Sequence, residues 1–305
     1  MKLQNTLKCI LVPLFLISFN AYSAEMRTAV KACNEAVNQR DAKTALMHAD
    51  QILNENNTDY EALLCKGRAL DLQGDYANAL VAMELATASA GDAFSKIISY
   101  ILIGKLHESN DQQAEAIESF RKSLAICGET GNQTYSRLNH HYIGNIYFEK
   151  KDLNAALDSY LVSVSLANND NERAESFEHL AKTYNALGHH DKAIEFQLKA
   201  TVMQKQAGTL TAYADSTLML GRYFFDAKEY AHAERSYQKL AQFAKQNGGA
   251  YYEAKANYHL AEALFANGDK EGARTLLIEV TQLAKKIGDK ELIAEVEATK
   301  KRLNI

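Results

Sequence analysis

Histidine and cysteine are the residue types through which this sequence could hold a metal ion or act as a nucleophile. The histidines include two adjacent pairs, His140–His141 and His189–His190. Adjacent side chains on a helix point about 100° apart, and neither pair has a further ligand at a suitable spacing on the same face. The phosphate-binding P-loop, the GxSxG elbow, the HExxH helix and the CxxC pair are all missing from the sequence. We therefore expect no catalytic residue, no bound metal and no cofactor.

The cysteines do not form a disulfide framework. Cys9 lies in an N-terminal apolar run, which leaves Cys33, Cys65 and Cys127, an odd and sparse set. A bond between Cys33 and Cys65 is conceivable in an oxidising compartment, but their positions in the repeat described below differ by two, which disfavours alignment. The alternative is that Cys33 fills a slot for a small buried side chain. Cys127 would then be free or bonded between molecules.

The first 24 residues are typical of a secretory signal peptide. Lys2 and Lys8 are followed by an apolar run over residues 9–19 and by small residues that include Ser23 and Ala24. The run has about half the ~20 residues that a membrane span needs. The sequence therefore predicts cleavage after Ser23 or Ala24 and no membrane span in the mature chain. We expect an exported protein, periplasmic if the source is Gram-negative and secreted otherwise.

The charge balance argues against a nucleic-acid partner. The chain has 34 basic and 38 acidic residues, and loss of Lys2 and Lys8 with the signal peptide changes the net charge from −4 to −6. Neutralising phosphate groups needs a basic surface, which this composition does not favour. Pro13 is the only proline, so the composition favours helices over a fold with many tight turns.

Small residues recur along the chain, each with an alanine twelve positions later. The pairs are Cys33–Ala45, Gly67–Ala79, Gly104–Ala116, Gly144–Ala156, Ala181–Ala193, Gly221–Ala233 and Ala261–Ala273. Turn-forming residues such as Gly74 and Asp111 stand seven positions after the small residue. Larger residues such as Phe120 and Tyr237 stand four positions after the alanine. This pattern predicts antiparallel helix pairs that approach closely where both present small side chains, with the larger residues filling the flanking holes.

The pattern, seen in LGRYFFDAKEYAHAERSY from Leu220 to Tyr237, resembles the tetratricopeptide repeat (TPR) signature. The resemblance covers about residues 26–288 and implies an all-α fold, a right-handed α-solenoid of about seven hairpins within residues 25–305. We expect hairpins near 26–59, 60–96, 97–136, 137–173, 174–213, 214–253 and 254–288, with a capping helix at 289–305.

The repeats are longer than the usual TPR. The small residues are separated by 34, 37, 40, 37, 40 and 40 positions, against a usual period of 34. Turns rich in Gly and Asn replace the proline that usually ends the second helix. Long repeats of this type are similar to those of kinesin light chain and of peptide-sensing bacterial regulators. By analogy alone, this likeness implies a chain that binds proteins or peptides.

The resemblance also implies where a partner would bind. In TPR proteins a second stripe on the first helix of each hairpin lines a concave groove, here three before, one after and four after the small residue. The candidate partner-binding residues on this stripe are Arg68, Lys105, His141, Asn145, Phe148, Lys182, Arg222, Phe225, Tyr258 and Phe265. Four of these candidates are basic, and four are aromatic and lie toward the C-terminal half of the chain. A groove with this lining would suit an extended or helical peptide that carries acidic and apolar side chains.

A structural interpretation of the same stripe stays open. The Lys and Arg residues could pair with Asp71, Glu108 and Asp226 one helical turn away, with a few tenths of a kcal/mol for each pair. The aromatic residues could equally pack between repeats.

The TPR clamp for the C-terminal carboxylate of chaperones is not matched. Asn145 fills one of its slots, but His141 stands where the clamp has lysine. His179, Asp215 and Met219 occupy the remaining slots. We therefore expect no such clamp in this chain.

These observations predict a non-enzymatic scaffold of the cell envelope that binds another protein or a peptide through its groove. Two alternatives remain. One is a structural subunit of an envelope complex that assembles through the solenoid edges, and the other is a peptide-responsive sensor. The sequence leaves the partner and the oligomeric state open.

Overall fold

Residues 13–304 form fifteen α-helices and no strand. The computed structural model describes the backbone of this range and the side chains of residues 26–206 and 208–304. Residues 1–12, the first half of the predicted signal peptide, lie outside the described residues. Within the described part, no helix has the length and apolar character needed to cross a membrane. The predicted all-α fold class is confirmed.

Consecutive helices pair as hairpins. The first helices are α1 Pro13–Asn38, α3 Tyr60–Leu72, α5 Ala93–Ser109, α7 Gln133–Glu149, α9 Asp170–Ala186, α11 Leu210–Asp226 and α13 Ala250–Ala266. The second helices are α2 Ala42–Glu55, α4 Tyr76–Ser89, α6 Gln113–Thr130, α8 Leu153–Ser165, α10 His190–Ala207, α12 Tyr230–Gln246 and α14 Lys270–Ile287. A last helix, α15 Lys290–Leu303, packs on α14.

The chain divides into two compact units, one that ends at Asn139 and one that begins at His140. In the first unit, the apolar core around α3, α4 and α5 contains Leu63, Met83 and Leu106. In the second unit, Leu277 and Leu292 belong to the core that α13, α14 and α15 enclose. Within each unit, the helices of these cores therefore bury their apolar faces against their sequence neighbours, as expected of a repeat chain.

A left-handed residue closes every hairpin turn. At the position seven after the small residue the backbone has a positive φ in all seven hairpins. These residues are Arg40, Gly74, Asp111, Lys151, Gly188, Lys228 and Gly268. In four hairpins an aspartate follows directly and accepts a hydrogen bond from a backbone N–H of the second helix, as Asp152 does from Ala155. The turn thus ends one helix and caps the next within two residues.

The close approach of the two helices takes a more specific form than the sequence predicts. A Cβ atom added at Gly104 would lie 2.5 Å from the ring of Phe120, and one added at Gly144 would lie 2.6 Å from the ring of Tyr160. The aromatic residue four after the alanine therefore lies directly over the glycine instead of in a flanking hole. The rings of Phe120 and Tyr160 are buried as a result.

Cys33 and Cys65 form a disulfide that joins α1 to α3 across 32 residues of sequence. The interpretation of Cys33 as only a small buried side chain is therefore incomplete. Cys33 does fill the small-residue slot, because it packs with Ala45 and Ala49. Its partner lies on the next first helix, and the Cα atoms are 6.3 Å apart, within the usual range for a disulfide. Cys127 is buried and free.

We predict that Gly104→Ala lowers the free energy of unfolding by about 1–2 kcal/mol. The added methyl group would collide with the buried Phe120 ring, and this overpacking outweighs the higher helix propensity of alanine. Urea denaturation followed by circular dichroism measures the change. The matched control is Gly128→Ala in α6, where nothing lies within 4 Å of an added Cβ. That control should be neutral or stabilising by up to ~1 kcal/mol. Equal effects at the two glycines would contradict the packing described.

Candidate functional site

The two cations predicted on the stripe in the first unit have partners within the chain. Arg68 donates hydrogen bonds to the side chains of Asn34 and Asn38 on α1, at 2.9 and 3.3 Å. Lys105 forms an ion pair with Glu108 at 2.6 Å. The structural interpretation thus holds at Lys105, whereas Arg68 contacts the preceding repeat and not Asp71.

In the second unit, four predicted residues surround one aromatic cluster on α7, α8 and α9. The Nζ atom of Lys182 lies 4.6 Å from the ring centroid of Phe148. Asn145 accepts a hydrogen bond of 2.7 Å from the hydroxyl of Tyr160. The side chain of His141 is only 7 % exposed, so it lies beneath the surface and not on it. These residues of the predicted stripe are therefore neighbours in the structure. Lys182 and Phe148 lie toward the surface, whereas His141 lies in the interior.

His179 was not among the candidate residues, yet it lies at the centre of this cluster. Its ring is 4.5 Å from the ring of His141, edge to face, and 5.0 Å from the ring of Tyr160, stacked. His179 stands two positions before the small residue Ala181, one place outside the predicted stripe. The packing of Tyr160 over Gly144 brings the Tyr160 ring within reach of α9.

The remaining candidates have separate surroundings. Arg222 forms an ion pair with Asp226 at 3.0 Å and lies 5.7 Å from the ring of Phe225. Tyr258 is 8 % exposed, and its hydroxyl lies 2.8 Å from that of Thr299 on α15. Phe265 lies under the Nζ atom of Lys270, at 5.7 Å. Arg222 and Phe225 thus form a local pair, and Tyr258 secures the last helix.

A cleft of about 420 Å³ opens between α9 and α11 beside this cluster. From α9 it is lined by Glu178, His179 and Lys182, and from α11 by Asp215, Met219 and Tyr223, with glutamine side chains of α10. Its lining therefore combines one ammonium group with two carboxylates. Met219 is 41 % exposed and provides an apolar, flexible contact. Asp215 and Met219 occupy two of the slots that do not match the carboxylate clamp.

Burial shifts the pKa of two side chains in the cleft. It raises the pKa of Glu178 above its ordinary value. It also lowers the pKa of His179 to about 3, with further contributions from the nearby charges of His141 and Lys182. His179 is therefore neutral at physiological pH, and its ring can pack against Tyr160 without an unpaired charge. Lys182 consequently provides the positive charge that α9 places at the cleft.

Comparisons with known proteins identify the repeat. The family model of the tetratricopeptide repeat matches residues 97–130 and 174–206, which correspond to α5–α6 and α9–α10. Residues 97–130 and 174–206 are thus matched as tetratricopeptide repeats. No curated protein matches the sequence.

Solved structures share the TPR fold over most of the chain. The apo form of RapI aligns with a TM-score of 0.71 and 12 % identity, over 92 % of this chain and 82 % of RapI. The C-terminal part of a TPR protein from Cytophaga hutchinsonii aligns with a TM-score of 0.63 and 14 % identity, over 87 % of this chain and 98 % of that one. A signal transduction ATPase (STAND) protein with a TPR sensor, from Pyrococcus horikoshii, aligns with a TM-score of 0.63 and 16 % identity, over 88 % of this chain and 43 % of that one.

At these identities the likeness shows the fold, a TPR-like solenoid. Proteins of TPR fold generally mediate protein–protein interactions and are typically non-enzymatic scaffolds. Within the described residues, no group of three or more His, Cys, Asp or Glu side chains is arranged to hold a metal ion.

We predict that His179 makes the TPR fold less stable as the pH falls from 7.5 to 5. Its pKa is about 3 in the folded chain and about 6.5 when unfolded, so between these values the unfolded state binds the extra proton. Stability therefore decreases as the pH decreases in this window, by roughly 2 kcal/mol at pH 5. Denaturation at both pH values should show a smaller loss for His179→Phe, which keeps the stacked ring without titrating. Burial also lowers the pKa of His140. Because both proteins contain His140, its contribution to the pH dependence of stability is the same in both. An equal loss in both would contradict a neutral His179 in the folded chain.

Proposed function

We propose that this TPR chain is a non-enzymatic scaffold that binds an extended segment of another protein through the cleft between α9 and α11. The observation that carries the proposal is the contact of Lys182. Among the described side chains, Lys182 forms no ion pair, and its ammonium group rests on the ring of Phe148. By contrast, Arg222 and Lys105 already pair with carboxylates one turn away. An acidic group of a partner could therefore join Lys182 without displacing an existing ion pair.

The rest of the cleft defines the partner segment more closely. Met219 lines the cleft and Phe148 lies against the ammonium group of Lys182, so both offer apolar contacts near that group. Asp215 and Glu178 are acceptors for backbone N–H groups, and the glutamine side chains Gln197 and Gln204 line the cleft as well. An extended peptide satisfies such mixed groups better than a helix does, since its backbone donors are free. We expect a segment with one acidic residue flanked by apolar residues.

The proposal also includes export of the chain after removal of residues 1–24. The bond between Cys33 and Cys65 supports it, because structural disulfides persist in oxidising compartments and are rare in the cytosol. A periplasmic or secreted location, and repeats of the long type with about 40 residues, belong to the same proposal.

Intact-mass analysis of the chain purified from its native source tests export. We expect the mature chain to begin near Glu25 and to be lighter by two hydrogens than its reduced form. Alkylation without reductant should spare Cys33 and Cys65. Full-length chain with both cysteines alkylated under native conditions would overturn this part of the proposal.

Selection of short random peptides against the chain, followed by calorimetric titration of those that bind, tests the cleft. We predict that the selected peptides carry acidic and apolar residues and that Lys182→Glu raises their Kd by about tenfold, which corresponds to ~1.4 kcal/mol. The loss of one charge-assisted contact and the new repulsion both act in this direction.

Lys192→Glu is the matched control, because Lys192 is also exposed and also rests on an aromatic ring, that of Tyr184 at 5.0 Å. It lies outside the cleft, so it should leave the Kd unchanged. Peptide binding that tolerates Lys182→Glu would show that the cleft is not the site. If the chain selects no peptide and its mass in solution increases with concentration, edge-to-edge assembly replaces the proposal.

A further inference from the structure

A second cleft, of about 390 Å³, lies on another face of α11, between the second helices α10 and α12. Gly221 of α11 meets Tyr237 of α12, and Tyr213 of α11 meets Phe243 of α12, so these two helices are antiparallel. Gln197 and Thr201 of α10 both bond to Ser216 of α11. Helix α11 thus forms the floor of a trough, and α10 and α12 form its two walls.

Each wall presents one helical face. The α10 wall presents Leu198, Val202 and Lys205, and the α12 wall presents Arg235 and Lys239. On each helix the lining residues follow a spacing of i, i+3, i+4 and i+7, which extends over about 10 Å, or two helical turns. The trough is therefore straight and long enough to accept two turns of a partner helix.

The trough has an apolar lower part. Leu220 and Phe224 on α11 form its floor, and Leu198 and Val202 stand above them on one wall. These two wall residues are large and apolar, yet they are 43 % and 55 % exposed. Exposed apolar residues next to a concave floor mark a surface that gains free energy when a partner covers it.

The rim of the trough is basic, with no acidic residue in its lining. Lys205, Arg235 and Lys239 form no ion pair with any side chain that the structure describes, although Arg235 donates to a backbone carbonyl of its own helix. This is unusual for a chain whose net charge is −4. Three cations without carboxylate partners are therefore available at this rim to bind a negatively charged group.

The corresponding trough in the first unit, between α4 and α6 above α5, has a different chemistry. Its lining includes the acidic residues Glu84, Asp92 and Glu129 as well as Lys96 and Lys122. The repeat architecture by itself therefore does not produce a basic rim. The basic rim of the α10–α12 trough is therefore set by the side chains that line it.

We propose that the α10–α12 trough binds an acidic amphipathic helix of another protein. The apolar face of that helix lies on Leu220 and Phe224 and between the walls. Its acidic residues, one turn apart, meet Arg235 and Lys239 on one side and Lys205 on the other. A trough with walls on both sides fits a helix, whereas a flat lipid surface would contact the rim alone. This surface is separate from the cleft between α9 and α11.

Fluorescence anisotropy with a labelled helical peptide tests the proposal. The probe carries Leu at i, i+4 and i+7 on one face and Glu on both flanks, and a second probe carries Gln in place of Glu. We expect the Glu probe to bind the full chain at least about tenfold more tightly than the Gln probe. The difference should decrease as salt is added, because exposed charges are screened. The double variant Arg235→Glu/Lys239→Glu should weaken binding of the Glu probe by about tenfold or more.

The matched control is Lys96→Glu/Lys122→Glu, which makes the same charge change in the equivalent trough of the first unit and should leave the Kd unchanged. Val202→Asn tests the apolar wall and should weaken both probes, while its exposure leaves the fold intact. Equal binding of the two probes, or equal effects of the two double variants, would overturn the proposal. Loss of binding through Lys182→Glu alone would place the probe in the α9–α11 cleft instead. If the chain binds phosphatidylserine vesicles in a flotation assay as strongly as it binds the Glu probe, or more strongly, the trough would be a membrane-binding surface.

Discussion

In three hairpins an aromatic ring packs directly over a glycine, and this contact sets how closely the two helices approach. Phe120 over Gly104 and Tyr160 over Gly144 bring two helix axes together where no Cβ atom intervenes. The left-handed residue seven positions later then reverses the chain, as Asp111 and Lys151 do. Because both features are fixed relative to the small residue, they also fix which face of the first helix remains outside the core. That face carries candidates such as Lys182 and Arg222, whereas His141 and Tyr258 lie buried.

The fold could be predicted from the sequence because its signals are local. Small residues, alanines and turn formers at constant spacing report contacts within one hairpin, and the structure has a left-handed residue at each of the seven predicted turns. The disulfide could not be predicted in the same way. Cys33 and Cys65 are two positions out of register, and whether their sulfur atoms meet depends on how α3 packs on α1. That packing angle has no signature in the spacing.

The candidate site could be predicted in part. The stripe includes Lys182 and Phe148, and their side chains are neighbours in the structure, since both positions are set by helix geometry and by the stacking of one repeat on the next. It could not show that Arg68 turns back to α1 or that His141 lies buried, because side-chain rotamers and the neighbouring helix decide these contacts. The stripe does not include His179, which stands one position outside it. His179 joins the cluster because its ring stacks on that of Tyr160, a contact between helices that the spacing does not show.

Net charge is a poor guide to what this chain can bind locally. An overall charge of −4 argues against nucleic acid, yet the trough between α10 and α12 is lined by Lys205, Arg235 and Lys239 without a carboxylate. Three cations over two helical turns are too few to neutralise a nucleic-acid backbone. Such a backbone also has no apolar face to cover the floor formed by Leu220 and Phe224. Both features are complemented by a helix that is apolar on one face and acidic at its flanks. The proposed class of partner therefore rests on the segregation of charge between faces of the same repeats and not on the total charge.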